Sequence, residues 1–196
     1  MGLGFGRLGR SALFLVLPLC IAASPAVASD AGDRSGDDAA RARSLWKEGA
    51  ELHVEGDYGT AIERYTEALR LHPTARLHTY LARSLARLGR YAQAADQCRK
   101  AIAVDAAYGN AYNDLGAYLI ALGRPREAIH WLRRALDLGG FCCRHVSYYQ
   151  LGRALLMQAR VEEAAKAFEA ALAVQPRYQP ARRLLDGVQS SGIRGL

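Results

Sequence analysis

The sequence predicts an all-α protein, a right-handed solenoid of four helix-turn-helix repeats closed by a C-terminal capping helix. The main observation is self-similarity: segments that begin at Gly56, Gly89, Gly123 and Ala159 align with one another at spacings of 33, 34 and 36 residues. Such a period is typical of stacked helical repeats. Within each segment apolar residues recur every three to four positions, which indicates helices rather than strands.

Composition sets the class of protein. The 196 residues are 51% hydrophobic and 23% charged, the balance of an ordinary globular domain and not of a disordered chain. No apolar run approaches the roughly 18 residues that would span a bilayer, so we expect no integral membrane span. The net charge of +7 favours acidic partners.

Residues 1–28 have the parts of a secretory signal peptide. Two arginines precede the apolar run 11–23, and small residues lead to a predicted cleavage site after Ala28. We therefore expect an exported protein, periplasmic or secreted. An uncleaved anchor is disfavoured because the run is short. A lipoprotein attached through Cys20 is disfavoured because Leu19 precedes the cysteine where a small residue is expected.

Segment boundaries follow from the repeat. A polar stretch at 29–41 is predicted to be a flexible linker. The repeats are then expected at about 42–74, 75–108, 109–143 and 145–177, and 178–196 as a capping helix and tail.

The second helix of each repeat carries a small-large-small stripe at seven-residue spacing, which lies on one helical face. Such a stripe lets a neighbouring helix approach closely and interlock. Its first small residues are Ala61, Ala94, Ala128 and Ala164, its large residues Tyr65, Cys98, Leu132 and Phe168, and its second small residues Ala68, Ala101, Ala135 and Ala171.

The turn within each repeat predicts a left-handed residue at the end of the first helix. Glycine stands there at 56, 89 and 123. The fourth turn has Ala159 instead and is expected to be the least favourable.

These residues resemble the tetratricopeptide repeat family over about 42–177. Repeat four, for example, has Leu151-Gly152, Leu155, Ala164, Phe168 and a closing Pro176 in the family's registers. Two departures are Cys98, where an aromatic residue is usual, and two extra residues before repeat four. The resemblance implies a non-catalytic protein that holds an extended peptide or a partner helix on the concave surface formed by the first helices.

By register, candidate partner-binding residues lie on the concave face of the first helices. Six basic side chains face one acid, Asp114, and three aromatic residues lie among them. This mixture is typical of protein interfaces. The candidates are Arg43, Trp46, Lys47, Arg76, Tyr80, Arg83, Arg87, Asn110, Asn113, Tyr149 and Arg153.

We expect this groove to bind a protein segment with acidic residues or a free C-terminus, held by hydrogen bonds from Arg76, Arg83 and Arg87. The alternative interpretation is that these arginines form only a solvated face. The family's carboxylate clamp is not reproduced: Ala50 and Tyr80 replace its asparagines, and Asp114 replaces a basic residue.

An alternative function is thiol redox chemistry or metal binding at the loop Cys142-Cys143-x-His145. A metal site needs three or four ligands, and nothing in the sequence clearly completes the set. We therefore predict no metal and no cofactor. Cys98, in the middle of a second helix, is expected to be a small buried residue.

Catalytic signatures such as GxSxG, GxxxxGK[ST] and HExxH do not occur in the sequence. The sequence therefore predicts no enzyme and no catalytic residues. Nucleic-acid binding is disfavoured by export and by the lack of a recognition motif. The expected role is a scaffold or assembly factor in the bacterial envelope.

Overall fold

The computed structural model describes the backbone of residues 25–138 and 143–193, and the side chains of 35–138 and 143–190. Within these residues it contains nine helices and no strand, which confirms the all-α class. The helices are α1 (Pro25–Glu55), α2 (Tyr58–Leu71), α3 (Ala75–Arg87), α4 (Tyr91–Val104), α5 (Gly109–Ala121), α6 (Pro125–Leu138), α7 (Arg144–Leu156), α8 (Val161–Val174) and α9 (Gln179–Ile193).

The repeats lie in one compact unit, which begins at Gly36. Residues 1–24 of the predicted signal peptide lie outside the described residues. The segment 29–41, for which the sequence predicts a flexible linker, is helical and belongs to α1. Alanine and arginine, which dominate the end of this segment, are strong helix formers and extend the first helix upstream of its repeat.

Odd-numbered helices α1 to α7, here called the A helices, open the repeats, and the even-numbered B helices α2 to α8 close them. In the second, third and fourth repeats each A helix packs on its own B helix, and the B helices α2, α4 and α6 pack on the next A helix. The A helices α3 and α5, and α5 and α7, also contact directly. The result is the predicted solenoid.

The predicted small-large-small stripes form the core. All twelve of their residues have a relative exposure of 0%. The A helices match them with small residues: a Cβ added to Gly116 would lie 2.5 Å from Leu132 Cγ, and one added to Gly152 would overlap the Phe168 ring. Repeat two has Ala82 at the equivalent position. The extra methyl group of Ala82 is therefore accommodated by the small Cys98, which explains why no aromatic residue stands there.

The turns between A and B helices follow the glycine prediction. Gly56, Gly89 and Gly123 have φ of 91°, 74° and 71°. Ala159 has φ of 55° and is the one non-glycine residue with positive φ in the described part of the chain. Its Cβ meets the steric penalty that glycine avoids, so the fourth turn is strained as predicted.

Helix α9 covers the last repeat. It packs on α8, and its residues Ala181 and Leu185 are buried in the common core. Its opposite face carries exposed Arg182, Arg183 and Asp186. This combination of one buried and one charged face suits a helix that ends a repeat array.

Candidate functional site

The groove face, defined as the eleven candidate residues on the A helices, is partly exposed and partly closed by its own side chains. Arg43, Lys47, Arg76, Arg87 and Arg153 are exposed. Trp46, Tyr80, Arg83, Asn110 and Tyr149 are half-buried, and Asn113 is buried. The face therefore divides into a closed centre and open ends.

A chain of polar contacts closes the centre. Arg83 on α3 donates from Nε to Asp114 Oδ2 on α5 at 2.8 Å. The Asn113 amide donates to the other Asp114 oxygen at 3.2 Å, and Ser147 Oγ on α7 donates to Asn113 Oδ1 at 2.8 Å. Three successive A helices are thus joined by side chains, and Asn113 is a linking residue rather than an open contact.

Asp114 and Arg83 form a mutually compensating pair. Burial raises the pKa of Asp114, and the positive charge and hydrogen bond of Arg83 act in the opposite direction. The Asp114 side chain is only 12% exposed, against 40% for Arg83. The guanidinium charge is therefore neutralised within the protein, so the expectation that Arg83 gives hydrogen bonds to a ligand carboxylate is wrong.

Arg87 also has an internal contact. Its Nε donates to the Tyr58 hydroxyl at 2.8 Å, and its guanidinium carbon lies 5.1 Å from the centre of that ring. The neighbouring His53 forms a 2.8 Å hydrogen bond with Ser84 Oγ. Burial, with Arg87 and Arg83 nearby, lowers the pKa of His53. Arg87 has no carboxylate partner among the described residues, so its charge stays available to a ligand.

An aromatic cluster lies beside α1. Trp46 meets Tyr80 edge to face with ring centres 5.5 Å apart, and Tyr80 lies 5.8 Å from Tyr65. Arg83 lies over the Tyr80 ring at 5.7 Å. Burial and the nearby Tyr80 raise the pKa of Tyr65 to about 12, so that phenol stays neutral. The cluster gives the groove face a rigid apolar wall.

At the other end, Tyr149 is held by rings on two sides. Its ring centre lies 6.2 Å from that of Phe168 and 5.5 Å from that of Tyr178. Arg153 lies 5.8 Å from the Tyr149 ring centre and donates to Gln150 at 2.9 Å. This end therefore offers an aromatic side chain and a cation without an acid partner in the described structure.

A cavity of about 350 Å³ lies between α1 and the start of α3. Arg43, Arg76, Trp46 and Leu77 are among the residues that line this cavity. Neither arginine side chain has a hydrogen bond or an ion pair within the described part of the chain. Other charges on α1 are paired towards α2, as in the 2.9 Å bond of Arg41 to Glu67.

The sequence did not reveal the contacts between neighbouring A helices or the partner residues Ser84 and Tyr58. Arg83 and Asp114 are 31 positions apart, and so are His53 and Ser84. The A helices recur about every 34 residues, and one helical turn is about 3.6 residues. Residues about 31 positions apart, which is one repeat less one turn, therefore face each other on neighbouring A helices. Complementary residues at a spacing of 31 were therefore the available signal. Tyr58, which contacts Arg87, is on a B helix and carries no such signal.

The cysteine loop is only partly described. Cys142 lies outside the described residues. Cys143 is half-buried, and the His145 ring packs edge to face on Tyr178 at 4.9 Å. No group of three or more potential metal-ligating side chains occurs among the residues whose placement is described. Cys98 is fully buried, and burial raises the pKa of its thiol.

Comparison with known proteins identifies the class. The tetratricopeptide repeat description matches residues 73–139 and 146–178. The chain belongs to the tetratricopeptide repeat family. Proteins of this family are generally non-catalytic scaffolds.

The most informative relatives extend this result. A small glutamine-rich tetratricopeptide repeat-containing protein 2 of Saccharomyces cerevisiae is 36% identical over 109 residues, which cover 53% of this chain and 31% of that protein. This chain thus spans about a third of the length of that relative. The first repeat domain of Spaghetti, solved with the HSP90 peptide SRMEEVD, is 28% identical, with a TM-score of 0.57 over 62% of this chain and 98% of that one.

A third neighbour shows the fold alone. The PilF protein of Pseudomonas aeruginosa has a TM-score of 0.75 and 20% identity, covering 81% of this chain and 72% of that one. Among the described helices, none is both long enough and apolar enough to cross a membrane.

Proposed function

We propose that this protein is an exported interaction module whose groove face binds an acidic peptide or partner helix. The observation that carries the proposal is the charge of that face. Asp114, at the centre of this face, is already bonded to Arg83. Exposed Glu51 and Glu55 lie near Lys47 but form no ion pair with it. Arg43, Lys47, Arg76, Arg87 and Arg153 remain exposed without an ion-pair partner in the described structure. Exposed cations beside aromatic side chains suit an interface with an acidic partner.

The Spaghetti structure supports a peptide ligand, since that related domain was solved with the acidic peptide SRMEEVD. The contacts here would differ. Asp114 stands where the family's clamp has a basic residue, and it is buried against Arg83. A ligand carboxylate is therefore expected to meet the exposed arginines at the ends of the face rather than the centre.

The cellular role rests on the sequence. We propose export because residues 1–28 carry the parts of a signal peptide, and a scaffold or assembly role in the bacterial envelope because an exported module without catalytic motifs needs a partner there. Epitope-tagged protein should appear in the periplasmic or secreted fraction with a mature N-terminus at Ser29. Tagged protein that stays cytoplasmic at full length contradicts export.

Affinity capture from the native envelope fraction tests the binding surface. The bait would be compared with a Lys47→Glu/Arg153→Glu variant, which reverses two exposed groove charges. A matched control, Arg133→Glu/Arg134→Glu, reverses two exposed charges on the B helix α6. Capture of a specific protein that is lost only with the groove variant supports the proposal. Equal loss with both variants, or no loss with either, contradicts it.

A further inference from the structure

The cavity between α1 and α3 has the chemistry of a specific subsite. Its wall combines exposed Arg43 and Arg76 with the half-buried Trp46 ring and the buried Leu77, and His72 stands at its edge. No acidic residue is among those that line it. A cation pair over an apolar floor recognises a carboxylate that has a bulky apolar neighbour.

The two arginines are positioned by the repeat itself. Arg43 and Arg76 are 33 residues apart and occupy the same register on parallel A helices, so both reach the same end of the groove face. The equivalent residues of the third and fourth repeats are Asn110 and Val146, which are uncharged. The cation pair is therefore confined to the first two repeats.

Free charge distinguishes this cavity from the larger one on the other side of the array. That cavity, of about 550 Å³, is lined by charges of both signs, including Arg90, Asp96 and Lys100. Arg90 is hydrogen-bonded to Gln93, and Asp96 is paired with Arg99 at 2.7 Å. The side chains of Arg90 and Asp96 are thus engaged by their own neighbours, whereas those of Arg43 and Arg76 have no such partner within the described residues.

We propose that this cavity, called here the carboxylate subsite, anchors the partner segment by binding one acidic residue that has a bulky apolar neighbour. The carboxylate binds between Arg43 and Arg76, and the apolar side chain packs on Trp46 and Leu77. The inference rests on the proposed function and deepens it by naming the part of the groove face that sets specificity and the residue pair it selects.

A peptide library tests both levels. Beads carrying random peptides of about eight residues would be incubated with the labelled chain and with its Arg43→Gln/Arg76→Gln variant. We expect the wild-type chain to select peptides with Asp or Glu beside Leu, Phe or a similar residue, and the variant to lose that preference. If the wild-type chain selects no peptide, the proposed function fails. If it selects peptides without an acidic preference, the proposed binding of an acidic partner fails together with the subsite. If it selects acidic peptides and the variant keeps that preference, only the carboxylate subsite is contradicted.

Trp46 provides a direct measurement of affinity. The sequence has two tryptophans, so a Trp131→Phe background isolates the Trp46 fluorescence during titration with a selected peptide. We expect Arg43→Gln/Arg76→Gln to weaken binding about tenfold or more. The control Arg182→Gln/Arg183→Gln removes the same charge from exposed positions on α9 and should change affinity less than about twofold. Equal weakening by both variants overturns the subsite.

A second copy of the chain is the competing occupant. Sedimentation of the wild-type chain and of Arg43→Gln/Arg76→Gln would separate the two cases. A monomer in both supports a peptide ligand. Self-association that is lost in the variant assigns the cavity to a second copy and overturns the proposal.

Discussion

Replacement of Gly116 by alanine tests the packing of the A and B helices. An added Cβ would lie 2.5 Å from Leu132 Cγ and 2.6 Å from its Cδ2, closer than carbon atoms approach in folded proteins. Leu132 has no exposed surface and is enclosed on all sides, so it cannot swing away. Overpacking costs about 1–3 kcal/mol, and a 2.5 Å approach to an enclosed side chain belongs to the upper part of that range, about 2–3 kcal/mol. The better helix propensity of alanine returns about 1 kcal/mol.

We therefore expect Gly116→Ala to lower the free energy of unfolding by about 1–2 kcal/mol, measured by urea denaturation followed by circular dichroism. Gly187→Ala is the matched control, because no atom lies within 4 Å of its added Cβ, and it should be neutral or stabilising. Repeat two suggests a rescue, since its small Cys98 accompanies Ala82. Gly116→Ala/Leu132→Cys should lose less stability than the sum of its single changes. A Gly116→Ala protein as stable as wild type refutes the packing argument.

Three further predictions follow from single residues. Ala159→Gly should raise the free energy of unfolding by about 1 kcal/mol, since it relieves the positive φ of 55°, and Gly89→Ala should lower it; thermal melting of both variants checks this. Burial lowers the pKa of His53 and of His78, so the unfolded chain binds more protons just below pH 6.5. Stability should therefore fall on acidification through the window below pH 6.5, and His53→Gln/His78→Gln should flatten that urea-midpoint profile; an unchanged profile contradicts the burial of these rings. Cys98 should resist alkylation until the protein is denatured, because its thiol is buried and its pKa raised; modification at Cys98 in the native state, located by mass spectrometry, would falsify this.

The helical core could be predicted from the sequence because the small-large-small pattern recurs in all four repeats. Ala61, Tyr65 and Ala68 could each be core or surface when taken singly, but the same sizes recur in the other repeats at the same register. Repetition supplies the contact information that one chain otherwise lacks. The strained turn at Ala159 was predictable for the same reason, since three glycines define what its position requires.

The candidate site was only half predictable because register identifies a face and not the contacts across it. It placed Arg83 and Asp114 on that face but did not reveal that they bond to each other across α3 and α5. A polar composition likewise suggested a linker at 29–41, where α1 is helical. In both cases the outcome depends on the surrounding structure, which the register or composition of a single segment does not contain.

Photocrosslinking in the host cells tests the central claim that the A helices form the binding face. A photoreactive phenylalanine analogue would replace Lys47 or Arg153 on the groove face and, as controls, Arg133 or Lys166 on B helices, all four of which are exposed. The account predicts that the same partner is captured from Lys47 and Arg153 and not from the two B-helix positions. Capture of that partner from Arg133 or Lys166, with none from the groove face, would contradict it.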